Sequence, residues 1–284
     1  MGIRDQSYQR YDGPLDTSRQ WWTIGWHEFR TMLGFKRTKL TLALIWLLPL
    51  LFALVIIAES AFIDGTTLPP ESAMVEGLNL FLLMQFGALA LLFMARGCHL
   101  IADDQRYQTL SLYFSKPLRL VDYGLGKLTA LMLLATLGVI APSVLLLLFR
   151  SALYLSSGAL DAVLLPQLGA LGILVLICAL SASVVLLISS LTRRSGLAVL
   201  IWLAVLIIPL ILQIIVAIAT STHPWTQVMS LQGMIAHATE LLYTSTADDP
   251  AAIPRATGLL GLLGLTAGAL TLTYRRLLLL RHQS

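Results

Sequence analysis

The chain has 284 residues, is 57% hydrophobic and 12% charged, and carries a formal net charge of +4 with a mean hydropathy of +0.81. Soluble domains run at roughly 45–50% apolar and about 25% charged, so a disordered chain, a nucleic-acid-binding module and an ordinary cytosolic enzyme are excluded. The apolar residues fall in long unbroken runs, which makes this a polytopic membrane protein.

The first informative segment precedes those runs. Thr17 and Ser18 can cap a helix. Trp22, Trp26, Phe29 and Leu33 then recur at helical spacing on one face, with Thr23, His27, Arg30 and Thr31 on the other. The Trp-rich, basic character predicts an interfacial helix over 17–37 lying along the inner leaflet, either as a pre-span anchor or as a docking element for a partner.

Six runs follow, over 40–58, 78–95, 128–149, 168–191, 197–220 and 258–274. A helix needs about 20 apolar residues to cross the hydrocarbon core, and each run meets or approaches that length. None contains Asp, Glu, Lys, Arg or His. Continuous apolarity favours helices over the alternating strands of a barrel. All Lys and Arg except Arg150 and Arg255 fall on the side of the termini, so both termini are expected in the cytoplasm. The first run starts only at Leu40, behind a charged tail, and no cleavable leader is expected. Cys98 and Cys178 are expected at a membrane edge and inside a span, without a disulfide.

Between the second and third runs lies a cytoplasmic loop, 96–127. Asp103 or Asp104 can cap a helix there, Tyr107, Leu110 and Phe114 share a face, and Pro117 stops the helix. A helical stub over 103–116 cannot bury that face alone, which leaves a partner surface or the lipid headgroups to cover it. The external segment 221–257 holds a semi-apolar stretch from Trp225 to Tyr243, expected to form one or two short helices that dip into the leaflet, re-entrant-like, or pack on the bundle.

Chemistry at depth is scarce. Ion-coupled carriers and intramembrane enzymes require ionisable groups inside the membrane, and the predicted spans hold none. No phosphate-binding G-x-x-x-x-G-K-[ST] loop occurs; Gly124-Leu125-Gly126-Lys127 lacks its first glycine and its Ser/Thr. Cys98-His99 has too few neighbouring ligands for zinc. Gln85 and Gln213 could line a pathway or hydrogen-bond between helices. Gly261, Gly264 and Gly268 suggest close helix packing in the last span, and Pro49, Pro142 and Pro209 suggest kinks.

This order of features resembles the permease subunit of ABC-2-type ATP-binding-cassette transporters over essentially the whole chain. The resemblance rests on Trp26-His27-Glu28-Phe29-Arg30 before the first span and on the stretch from Asp103 to Leu110. Ser115-Lys116-Pro117-Leu118-Arg119 and Gly126-Lys127 continue it. Gln108 stands where the family commonly has Gly, and Arg119 falls one residue early, with Leu120 in the usual Arg place.

The resemblance implies an all-α bundle of six transmembrane helices, of the type V exporter kind, forming one domain over 1–284. It implies a coupling helix seated in a cleft of the ATPase subunit, with Asp103, Asp104, Arg106, Tyr107, Leu110, Tyr113, Phe114 and Glu28 as ATPase contacts. The first helix would be the connecting helix beside it. The expected partners are two copies of an ABC ATPase, a second permease copy or a related permease, and membrane lipid, with no nucleic acid. No cofactor is expected in this chain, since ATP and magnesium would bind the partner. A plasma or inner membrane location and an export direction follow from the same resemblance. A non-transporting scaffold that recruits a cytoplasmic or envelope partner is the alternative; a membrane-embedded enzyme stands third and lacks catalytic groups at depth, leaving His223, His237 and Glu240 as the residues for catalysis at the external surface.

Overall fold

The structure is a computed structural model and describes residues 19–62, 71–109, 118–154, 160–219, 229–243 and 256–283. Helix α1 (Gln20–Gly34) is separated from α2 (Lys36–Phe62) by one extended residue, Phe35 (φ −81°, ψ 132°). Helix α3 (Glu71–Ala95) leads into a single 3-10 turn (Gly97–His99) and the five-residue α4 (Ala102–Arg106). Helix α5 (Leu120–Ala135), a π-helical turn (Thr136–Ile140) and α6 (Ala141–Tyr154) form one continuous rod. Helices α7 (Leu160–Leu191), α8 (Ser195–Ala219), α9 (Leu231–Tyr243) and α10 (Ala256–Gln283) follow.

Among the described residues, six helical runs are long and apolar enough to cross a membrane: α2, α3, the α5–α6 rod, α7, α8 and α10. Each of the six apolar runs falls on one of them. In hydrocarbon a helix is one of the few forms that satisfies its own backbone, which is why continuous apolar sequence reads out so directly. Helix α7 is the centre of the bundle, with 61% of its most apolar stretch buried, whereas α2 and α8 bury 11% each. Leu174, Ile177, Cys178 and Val185 of α7 pack with Leu82, Leu89, Leu92 and Phe93 of α3 and with Leu131 and Leu134 of α5 in a single core. The Trp202 indole N–H of α8 donates to the Ala90 carbonyl at 3.1 Å. Cys98 and Cys178 are both buried and unbridged.

The rod between Leu120 and Tyr154 carries a local change of pitch. The Ala141 N–H donates to the Thr136 carbonyl, five residues back. In that register the Leu137 carbonyl would need the amide of residue 142, which is Pro142 and has none. The Trp46 indole of α2 supplies the missing donor, at 3.0 Å. The proline thus produces a π turn held by a neighbouring helix.

Several expectations are corrected. The helix predicted over 103–116 is interrupted: α4 stops at Arg106, Tyr107 and Gln108 form a turn, and Gln108 has φ 57°. Left-handed backbone of this kind suits glycine, so one side chain divides what the periodicity read as a single helix. Leu110, Tyr113, Phe114 and Pro117 lie outside the described residues. Thr17 and Ser18 also lie outside them, and α1 starts behind Arg19 with no side-chain cap. The aromatic stripe of α1 divides as well. Phe29 joins Gly25 and Met32 on the buried face, while Trp22 and Trp26 stay 42% and 39% exposed. Those two indoles stack at 6.1 Å, and the Arg30 guanidinium lies 5.2 Å from the Trp26 ring. Of the glycines singled out in the last span, Gly261 meets Met234 of α9, but a Cβ at Gly264 or Gly268 would meet no described atom within 4 Å. Their spacing on one helical face therefore does not mark a contact within the chain.

In the segment 221–257, the described helix is α9, and it packs on the bundle. Ile235 and Ala238 are buried, and a Cβ at Gly258 of α10 would stand 2.9 Å from the Met234 carbonyl. His237 is 6% exposed. His223 and the side chain of Glu240 lie outside the described residues.

Candidate functional site

The inward face of α5 comprises Leu120, Tyr123, Gly126, Lys127, Ala130, Leu131 and Leu134, spaced three and four apart. Lys127 belongs to this face and is only 1% exposed. It had counted as a loop cation setting orientation; instead α5 begins at Leu120 and carries Lys127 two turns into the bundle. The signal was available in the spacing, because Lys127 falls in register with Tyr123, Ala130, Leu131 and Leu134.

A buried ammonium is stable only with partners, and Lys127 has them. Its Nζ donates to Glu28 Oε1 at 2.6 Å, reaches Asp104 Oδ2 at 2.7 Å and donates to the Leu100 carbonyl at 3.3 Å. Three N–H donors therefore meet three acceptors. Glu28 and Asp104 are themselves mostly covered, with side chains 18% and 16% exposed. The second carboxylate is held further: Tyr123 Oη donates to Asp104 Oδ2 at 2.7 Å and Thr109 Oγ1 to Asp104 Oδ1 at 3.0 Å. Short charge-assisted bonds in a dry site are strong, and removing one member leaves the others unpaired.

The partners come from three separate segments: Glu28 from α1, Asp104 and Leu100 from the turn after α3, and Lys127 from α5. Backbone packing brings α1 this close. A Cβ at Gly25 would stand 2.9 Å from the Gly126 carbonyl, and one at Gly126 would stand 2.8 Å from Ile24 Cγ2 and 3.0 Å from the Trp21 carbonyl. On its other side the turn is pinned to the end of α7. Ser189 Oγ accepts from the amides of Ile101 and Ala102 at 2.9 Å each and donates to the Cys98 carbonyl at 3.1 Å. Gln105 Nε2 donates to the Ser190 carbonyl at 2.7 Å. Arg96 lies with its guanidinium 3.5 Å from the Phe35 ring, at the joint between α1 and α2.

A family model described as ABC-2 family transporter protein matches residues 22–281. The chain belongs to the ABC-2 transporter family. No curated protein matches it. An ABC-2 permease is a membrane transport component and not itself a catalyst. Among the described residues, no group of three or more His, Cys, Asp or Glu is arranged to hold a metal ion.

The residues singled out from sequence separate into two sets in this permease. Glu28 and Asp104 pair with the buried Lys127. Arg106 and Tyr107 point outward, Tyr107 being 67% exposed with the Arg106 guanidinium 5.6 Å from its ring. Asp103 is 40% exposed and lies 3.7 Å from His99 Nδ1. Gln213 of α8 accepts a hydrogen bond from Ser230 just before α9, and so ties two elements. Gln85 is fully buried in α3, and neither atom of its carboxamide has a partner among the described residues. Tyr123, Leu100, Ser189 and Gly25 were not foreseen; each acts through tertiary contact and carries no motif.

Proposed function

We propose that this permease is half of the membrane pathway of an ATP-driven exporter, working as a dimer with two separate ABC ATPase subunits. The observation that carries the reading is the ion pair of Lys127 with Glu28 and Asp104. It joins α1, the turn after α3 and the start of α5 into one polar unit at the end of the bundle that the basic residues assign to the cytoplasm. Such a unit transmits force as a body. The exposed Arg106 and Tyr107 at its edge are residues available for an ATPase, and Leu110, Tyr113 and Phe114 follow them in the sequence.

Energy has to enter from outside the membrane in this scheme. Among the described residues Lys127 is the most deeply buried Lys, Arg, His, Asp or Glu, and its ammonium is already paired with Glu28 and Asp104. The low burial of α2 and α8 leaves two apolar faces for a second permease copy and for lipid. ATP and magnesium would be bound by the ATPase alone.

The test is to purify the tagged chain in mild detergent and identify what accompanies it. A stoichiometric P-loop ATPase, lost when Tyr107, Leu110 and Phe114 are replaced by Asp, is the expected result. Undiminished association in that variant would overturn the lever assignment. Absence of any ATPase from an intact complex would favour a scaffold. Co-purification of differently tagged copies tests the dimer.

A further inference from the structure

At the end of the bundle opposite Lys127, helices α2, α3, α6 and α7 surround a cavity of about 260 Å³. Lys127 and Arg150 mark the two ends of the same rod, about 35 Å apart at about 1.5 Å per residue. The walls are apolar: Phe52 and Val55 of α2, Phe81 of α3, Leu147 of α6 and Leu174 of α7 are among them. Val55 is 53% exposed, so the cavity is open to whatever surrounds the bundle.

The polar members of the lining are biased toward donation. Arg150 has five N–H donors and no acceptor. The Gln167 carboxamide oxygen already accepts from Ser151 Oγ at 3.5 Å, leaving the N–H donors of its amide to offer. Ser143 is the exception: its proton goes to the Val139 carbonyl at 2.7 Å, so it offers the cavity only lone pairs. Among the described residues no Asp or Glu lines the cavity and no carboxylate pairs with Arg150. An unpaired guanidinium at the mouth of an apolar cleft is costly in a membrane unless an anion meets it. Arg is also the side chain best matched to phosphate oxygens.

We propose that this cavity holds one acyl chain of an anionic phospholipid drawn from the leaflet at that end of the bundle, with its phosphate on Arg150 and Gln167. The volume falls just below the roughly 300–1,000 Å³ of sites for drug-sized ligands, and suits a single chain better than a whole amphiphile. The occupant is a bilayer lipid and not cargo, so the site stands independently of the exporter reading.

The test uses the full chain in phosphatidylcholine nanodiscs doped with phosphatidylglycerol or phosphatidylcholine bearing a diazirine at the end of one acyl chain. After photolysis, labelled peptides are mapped by mass spectrometry, with the exposed α8 residues Ile211 and Ile215 as the internal reference. The phosphatidylglycerol probe is expected to label the peptides containing Phe52, Leu147 and Leu174 about tenfold more than the phosphatidylcholine probe, whose choline ammonium offsets the phosphate charge that Arg150 would meet. Arg150→Gln should bring the two probes level. Ala170→Phe, which fills the cavity, should abolish labelling there by both probes while α8 labelling persists; Leu147→Trp serves if that variant fails to fold. Equal labelling of the wild type by the two headgroups would overturn the proposal. Phosphatidylglycerol labelling unchanged in Arg150→Gln, or cavity labelling unchanged by filling, would overturn it equally.

Discussion

Lys127 and Arg150 stand on the same rod, and the protein treats them in opposite ways. Lys127 is surrounded by acceptors from α1 and from the stretch after α3 and is 1% exposed, whereas Arg150 borders an apolar cavity with no carboxylate among its described lining residues. In sequence they look alike, each a lone cation next to an apolar run. The difference lies in what tertiary structure brings to them. A cation whose donors are all met inside the chain holds parts together, and one whose donors are left open recruits something from outside.

The largest way to break that comparison is to remove the compensated charge. Lys127→Met should destabilise the permease by about 3–5 kcal/mol, because Glu28 and Asp104 would be left facing each other in a dry site. The buried thiols of Cys98 and Cys178 report unfolding through a thiol-reactive fluorophore, so the loss appears as a lower thermal transition in detergent. Adding Glu28→Gln and Asp104→Asn to that variant should recover part of it. A transition unmoved by Lys127→Met would show that the ion pair holds nothing.

Next in size is the approach of α1 to α5. Gly126→Leu should cost about 1–3 kcal/mol by forcing side chain against Ile24 and the Trp21 backbone. It should also loosen Glu28 from Lys127, read as faster proteolysis at α1. Retention of wild-type protection would mean that the ion pair, and not the glycines, seats the helix. Trp46→Phe is expected to cost about 1–2 kcal/mol, because a Leu137 carbonyl in hydrocarbon finds no replacement donor. Substitution of Pro142 by Ala in the same background should reverse that loss by restoring a backbone amide. The smallest effect is at the turn after α4. Gln108→Gly should stabilise by about 0.5–1 kcal/mol through relief of the left-handed backbone. A lower transition in that variant would show that the side chain's own contacts outweigh the strain.

What could be read from sequence follows from how local each cause is. Six spans were legible because helix formation in lipid depends on a run and on nothing distant. The stripe on α1 was legible as amphipathic, but its division between Phe29 inside and Trp22 and Trp26 outside depends on where α5 lies. Pro142 signalled a kink, yet the π turn also needs Trp46, which stands far away in the chain. Within the candidate site, Asp104 and Glu28 were singled out in the sequence, but their pairing with Lys127 was not legible there. Without the buried ammonium in view, nothing in their spacing says that they turn inward. Gln108 was marked as a departure from glycine, and its left-handed φ explains why glycine is common there.

One consequence concerns the single residue between α1 and α2. Phe35 reaches about 3.5 Å, so the end of one helix and the start of the next are joined without slack. Helix α1 is fastened to α5 at Gly126 and Lys127, and α2 is fastened to the same rod about 15 Å further along, where Trp46 meets Leu137. Three stiff members pinned at three corners make a truss. A truss cannot change shape unless a member bends or a joint breaks, so a load on α1 turns the whole triangle, and α2 has to swing with it.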